Sequence, residues 1–330
     1  MTETVYTTRP STGPPSPTER GTDRGSPWPS PWVLVALLGV LFGLPATAAI
    51  ATAAPDGPSG PSSGPERSEA RVVAGAATEP VPVSLVADPV RRAVDLGTVR
   101  IELDVPAGPG PHPTIVFVHG GGWVEGRADE LPAGFGLDRL SRRGVALASV
   151  DYRLAGGDVT AADQVDDVVA ALRWLATEGA TQDVGPAAVI VGHSAGAHLA
   201  ALAVERSGPG APDLLIGVAG VYDFGPEIRS NPLLAPVLPA ALGCAPSRCD
   251  TAHLGALTPG RSVASTRVTV VHGDDDPFAP LSTAQGFVGR LLADGADARL
   301  VVVEGGQHGG GVLAAMFDAI LTEVVGERSI

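Results

Sequence analysis

From about residue 84 onward, short apolar runs rich in β-branched residues recur along the chain: Thr98–Val105, Thr114–Val118, Val145–Val150, Ala187–Val191, Leu214–Ala219, Arg267–Val271 and Ala298–Val303. Several are almost continuously apolar, the pattern of strands covered on both faces. Between them lie stretches of helical period. The clearest is Ala161–Glu178, where Val165, Val168, Val169, Leu172 and Leu175 form one stripe, with Asp163, Asp166, Asp167 and Arg173 mostly pointing away from it. Thr160 suits the N-cap of that helix and Gly179 its C-terminal stop. Strands separated by helices predict an α/β fold, a doubly wound, mostly parallel sheet with helices on both faces. Such sheets bind ligands beyond the carboxyl ends of their strands, so the residues just after each run carry the functional interest.

The upstream chain reads differently. Residues 1–31 are rich in Pro, Ser, Thr and Gly, cannot bury enough apolar surface to offset ordering entropy, and are expected to be disordered. Residues 32–54 form an uncharged apolar run whose helix would reach about 34 Å, against a hydrocarbon core of roughly 30 Å. Its strongly apolar part ends at Leu44 before Pro45, and Ala46-Thr47-Ala48 and Ala51-Thr52-Ala53 resemble signal-peptidase sites. A cleaved signal peptide and a retained membrane anchor both fit. Either one predicts an extracytoplasmic domain, secreted or attached to the membrane. Residues 55–80 read as a Pro/Ser/Gly-rich flexible spacer, leaving 81–330 as one folded domain.

Composition narrows the chemistry. All 22 basic residues are Arg, and without lysine there is no Walker A loop, Schiff-base lysine or Ser-x-x-Lys acylating site. The net charge of −14 repels phosphate backbones, so no nucleic-acid partner is expected. Two cysteines and seven scattered histidines cannot assemble a zinc cluster at the usual spacings, and nothing calls for a metal or an organic cofactor. Cys244 and Cys249 lie close enough in sequence for a disulfide across a small loop, in keeping with an exported domain.

Four strand ends carry candidate chemistry. Gly192-His193-Ser194-Ala195-Gly196 follows one apolar run and precedes the helical stretch Ala197–Arg206. Gly-x-Ser-x-Gly alone is a weak signal, and Gly60-Pro61-Ser62-Ser63-Gly64 in the spacer matches equally well. Context selects Ser194, because a strand-to-helix turn lifts its hydroxyl clear of the sheet and a helix N-terminus beneath favours developing negative charge. His119-Gly120-Gly121-Gly122-Trp123 is far more telling, with a chance expectation of about 0.015 for its first four residues. There the amides of Gly121 and Gly122, joined by that of Ala195, can point at a substrate oxygen. His272-Gly273-Asp274-Asp275-Asp276 offers a carboxylate to orient a histidine, with three adjacent aspartates leaving its identity open and a cation site as a second reading. Finally, His308 in Gly305-Gly306-Gln307-His308-Gly309 is placed to take the Ser194 proton. Of the other histidines, His119 and His272 read as loop braces, His198 as helix packing, and His112 and His253 as surface residues. Asp151-Tyr152-Arg153 reads as a structural anchor.

With Asp151-Tyr152-Arg153-Leu154 and His272-Gly273 added, these motifs make Thr98 to the C-terminus resemble the α/β-hydrolase fold. The resemblance is to esterases and lipases similar to hormone-sensitive lipase and the arylformamidases. Ser, Asp, His is the chain order of that fold. The resemblance implies Asp276 as the acid, Gly121 and Gly122 in the oxyanion hole, and a small-molecule ester as substrate. Trp123 and His193 are expected to contact it. The chain departs from the hormone-sensitive-lipase pattern in lacking a substantial segment for an N-terminal cap. A small cap or none is therefore expected, with Tyr222–Arg261 the better cover and short or accessible acyl groups the better substrates. An amide or formamide hydrolase, an envelope acyltransferase and an inactive binding protein of the same fold remain alternatives.

Overall fold

A computed structural model describes residues 88–132, 135–261, 265–309 and 312–313. The expectations for residues 1–31, 32–54 and 55–80 lie outside the described residues. Eight strands form one sheet: β1 (Val90–Asp95), β2 (Arg100–Val105), β3 (His112–Val118), β4 (Ala146–Asp151), β5 (Val184–His193), β6 (Leu214–Val218), β7 (Arg267–Gly273) and β8 (Ala298–Val303). Their order is β1-β2-β4-β3-β5-β6-β7-β8, with antiparallel pairing at β1-β2 and β2-β4 and parallel pairing from β4 to β8. The described helices are α1 (Leu137–Arg142), α2 (Ala161–Thr177), α3 (Ala195–Ser207), α4 (Pro226–Arg229), α5 (Leu238–Leu242), α6 (Thr251–Ala256) and α7 (Leu281–Ala293).

Central strands β3, β5 and β6 bury nearly every side chain, which explains their unbroken apolar runs. Ile115, Phe117, Leu147, Val191, Ile216 and Val271 join in one cluster with Leu140 of α1 and Phe135. β1 has no such run because it lies at the sheet edge, largely exposed and interleaved with charge. Its register with β2, from Val90↔Val105 to Asp95↔Arg100, is fixed through the tight turn that links them, where the Leu96 amide bonds the Val99 carbonyl.

Thr160 is the N-cap of α2, as expected, and its amide and hydroxyl both donate to the Asp163 carboxylate at 2.9 and 2.8 Å. Asp167 corrects the sequence reading of that helix: it is only 1% exposed. Its carboxylate accepts from the Arg153 amide, Nε and one terminal nitrogen at 2.8–3.2 Å, so the charge is buried with a planar, bidentate partner. Between β6 and β7 the chain makes an excursion carrying α4, α5 and α6. Both of its feet are pinned: Arg290 of α7 donates to the carbonyls of Tyr222 and Pro259, and Glu205 of α3 accepts from the amides of Gly260 and Arg261. Within the excursion the sulfurs of Cys244 and Cys249 are joined, with their Cα atoms 5.7 Å apart. Among the described residues no helix is long and apolar enough to cross a membrane.

Candidate active site

The end of β5 turns directly into α3, and Ser194 occupies the turn with φ 53° and ψ −121°, a backbone state that L-residues avoid. It is held there by its own amide, which donates to the Val218 carbonyl of the neighbouring strand at 2.8 Å. Gly196 makes the turn feasible, because a Cβ there would collide with the carbonyls of Val118 and His119 at the end of β3. The serine is therefore wedged between two strand ends, its hydroxyl pointing out of the sheet.

The structure brings Ser194, Asp276 and His308 together from three separate loops. The Ser194 hydroxyl donates to His308 Nε2 at 2.7 Å, and His308 Nδ1–H donates to Asp276 Oδ2 and Oδ1 at 2.8 and 3.0 Å. Asp276 Oδ1 also accepts from the amides of Phe278 and Ala279, both at 2.9 Å. Burial alone would raise the pKa of this carboxyl. The hydrogen bond and charge of His308, the Ala279 amide and nearby His272 outweigh burial, and the pKa ends below its ordinary value. Asp276 thus stays ionised. Its neighbours Asp274 and Asp275 are exposed, and Asp274 instead accepts from the Gly305 amide at 2.7 Å, which braces the loop leading to His308.

The triple-glycine turn lies against the serine, since a Cβ built on Gly120 would stand 3.2 Å from Ser194 Cβ. The amides of Gly121, Gly122 and Ala195 donate to no acceptor among the described residues. Ala195 is only 1% exposed, and a buried backbone donor left unpaired is rare unless a ligand or transition state uses it. Three donors left free in this way are the kind an oxyanion at a Ser194-bound carbonyl would need. On the far side, Val237 of the excursion faces Gly122, and Asn231 Nδ2 donates to the carbonyls of Pro277 and Phe278 at 2.9 and 3.1 Å. Phe278 packs on the His308 ring with centroids 4.8 Å apart. The excursion thus leans on both the triple-glycine turn and the Asp276 loop.

Three expectations are corrected. Trp123 does not present its ring to a substrate; it is 1% exposed and its indole Nε1 donates to His198 Nδ1 at 3.2 Å. Nor does His193 turn toward a cleft. Its Nε2–H donates to the His308 carbonyl at 3.0 Å, so it ties the His308 loop to the Ser194 turn. Burial first, and then the charge of His308, push the His193 pKa down to about 4. His112 is buried rather than on the surface, with Nδ1 3.1 Å from the Gly144 carbonyl. His119 and His272 do brace their loops: His119 stacks on Tyr152 at 4.1 Å, and His272 Nε2–H donates to the Ala279 carbonyl at 2.6 Å. The Tyr152 hydroxyl in turn donates to the His119 carbonyl at 2.9 Å.

Among solved structures, a bacterial heroin esterase superposes with a TM-score of 0.60 at 21% identity, covering 73% of this chain and 85% of that one. EstE1, a thermostable carboxylesterase from a metagenomic library, gives 0.61 at 21% identity, covering 72% and 88%. This chain has the α/β-hydrolase fold. Within this hydrolase-fold chain, residues 103–208 match the BD-FAE family model. Esterase LipC of Mycobacterium tuberculosis is 28% identical over 207 residues, covering 56% of this chain and 49% of LipC. A probable isoprenylcysteine alpha-carbonyl methylesterase of Oryza sativa subsp. japonica is 27% identical over 231 residues, covering 63% of this chain and 55% of that protein. The hydrolase-fold chain spans about half the length of the curated relatives it matches. The matched residues 103–208 hold the triple-glycine turn and Ser194, the two motifs most legible in the sequence.

Proposed function

We propose that this chain is a serine carboxylesterase that works through an acyl-enzyme on Ser194. The observation that carries the reading is His308 bonded on one side to the Ser194 hydroxyl and on the other to Asp276, beside three unpaired amides. In the first half-reaction His308 Nε2 takes the Ser194 proton as Oγ adds to the ester carbonyl. The amides of Gly121, Gly122 and Ala195 receive the oxyanion, and each such donor is worth about 3–4 kcal/mol of barrier. The tetrahedral adduct collapses, His308 delivers its proton to the departing alkoxide, and the alcohol leaves. Water then attacks the acyl-enzyme, with His308 taking its proton and returning it to Ser194 as the acid departs. Asp276 keeps Nδ1 protonated and steadies the imidazolium formed in both steps. The relatives named as esterases support ester over amide substrates. The pinned excursion, which leans on the triple-glycine turn and on the Asp276 loop, favours short or accessible acyl groups.

We also place the catalytic domain outside the cell membrane, on the strength of the apolar run at residues 32–54 and the paired cysteines. The decisive experiment treats the full chain with a fluorophosphonate probe and with p-nitrophenyl acetate, butyrate and decanoate beside N-formylkynurenine. Labelling at Ser194, turnover fastest on the short esters, and loss of both in Ser194→Ala are expected. A chain that resists the probe and cleaves none of the esters would refute the proposal, and preference for the formamide would reassign the substrate class.

A further inference from the structure

Trp123 follows directly after the Gly121 and Gly122 amides, and it holds φ at 66°, the left-handed region that a bulky L-residue occupies only when its surroundings impose it. Its surroundings do so from three sides. The carbonyl accepts from the Ala155 amide at 2.8 Å and from Gln164 Nε2 at 2.7 Å. The indole donates to His198 Nδ1 at 3.2 Å, while His198 Nε2 lies 2.7 Å from the Leu257 carbonyl at the foot of the excursion. A carbonyl can only accept, so His198 must carry its proton on Nε2 and offer a bare lone pair at Nδ1 to the indole. Burial above all, opposed by the Leu257 bond and aided by Arg206, pushes the His198 pKa down to about 4, which keeps the ring in that neutral form. Phe224 closes the box, with centroids 5.7 Å from Trp123 and 5.2 Å from His198.

His198 lies on α3, the helix whose first turn supplies the Ala195 amide. We propose that Trp123 and His198 are positioning residues of the oxyanion turn, their buried indole–imidazole bond holding the Gly121 and Gly122 amides in register with Ser194 and Ala195. Relaxation of φ at Trp123 turns the Gly122–Trp123 peptide and carries the Gly122 amide with it, and an oxyanion donor works only when aimed beforehand. The pair touches neither substrate nor reacting atoms and acts through the two glycines. This role rests on the serine-esterase reading above.

The test compares full-length Trp123→Phe, His198→Leu and His198→Asn with the wild type. The asparagine places an acceptor where Nδ1 was but loses the Leu257 bond, so it isolates the contact to the indole. Active sites are counted by the p-nitrophenol burst, so that any unfolded fraction drops out of kcat. Trp123→Phe and His198→Leu are expected to lower kcat per titrated site about tenfold, less than the 10²–10³-fold of outright donor loss. KM should stay within about twofold, and His198→Asn should recover most of the rate. Unchanged kcat in Trp123→Phe, or His198→Asn as slow as His198→Leu, would overturn the positioning role while leaving the esterase reading intact. A wild type that neither labels nor turns over would overturn both.

Discussion

Lowering the pH from about 7 to 5 should strongly destabilise this domain before its carboxylates titrate, and the reason lies in its buried histidines. His193 and His198 are pushed by burial from the ordinary 6.5 to about 4, and burial moves His119 and His272 in the same direction. In the unfolded chain each ring gains its proton near the ordinary value, while in the folded domain His193 and His198 stay neutral down to about 4. The unfolded state therefore binds more protons across that window, and stability rises with pH through it. The contribution is fully present above about 6.5 and is lost as pH falls toward 4. A tenfold weaker hold on a proton corresponds to about 1.4 kcal/mol, so each of the two rings contributes about 3 kcal/mol in all. By pH 5 together they would remove roughly 4 kcal/mol, a large part of a typical domain's 5–15 kcal/mol. Asp276 acts with the same sign but only in the carboxylate range, because its pKa is lowered from an ordinary value of 3.8. Urea unfolding of the full chain at a series of pH values, followed by circular dichroism, measures the slope. His198→Asn cannot titrate, so its slope between about pH 6 and 5 should be shallower than wild type by about 1.4 kcal/mol for each step of one in pH. Equal slopes for the two proteins would show that His198 is not held neutral in the folded domain, and the burial argument would fail.

Other expectations concern the site and its supports. Asp276→Asn keeps an acceptor for the Phe278 and Ala279 amides but loses the charge that fixes the His308 tautomer; steady-state assays should show kcat down about 10³–10⁴-fold with little change in melting temperature. Gly196→Ala pushes a Cβ into the carbonyls of Val118 and His119, and overpacking of this kind should destabilise by about 1–3 kcal/mol and lower fluorophosphonate labelling. Arg290→Met removes the clamp on both feet of the excursion. A melting temperature lower by several degrees and faster proteolytic nicking between Tyr222 and Arg261 are expected.

The site was legible where its chemistry is compressed into local motifs. Gly192–Gly196 and His119–Trp123 each need a particular backbone path within five residues, and that path demands glycine whatever else surrounds it. The order of apolar runs likewise announced the parallel centre of the sheet, because strands buried on both faces leave no polar period. What local pattern could not contain was any property set by a neighbour far along the chain. β1 has no apolar run and exists through its register with β2. Asp167 reads as a solvent-facing helix residue until Arg153, fourteen positions earlier, arrives to pair with it. Trp123 and His193 look like cleft residues beside a nucleophile, and only packing shows one buried against His198 and the other tied to the His308 backbone. Among the three adjacent aspartates, resemblance singled out Asp276, while the fold supplies the cause: it alone of the three is buried and reaches His308. Periodicity and glycine placement act over a few residues and so are written in the sequence; burial, pairing and proton placement depend on what the folded chain brings near, and only the tertiary structure decides them.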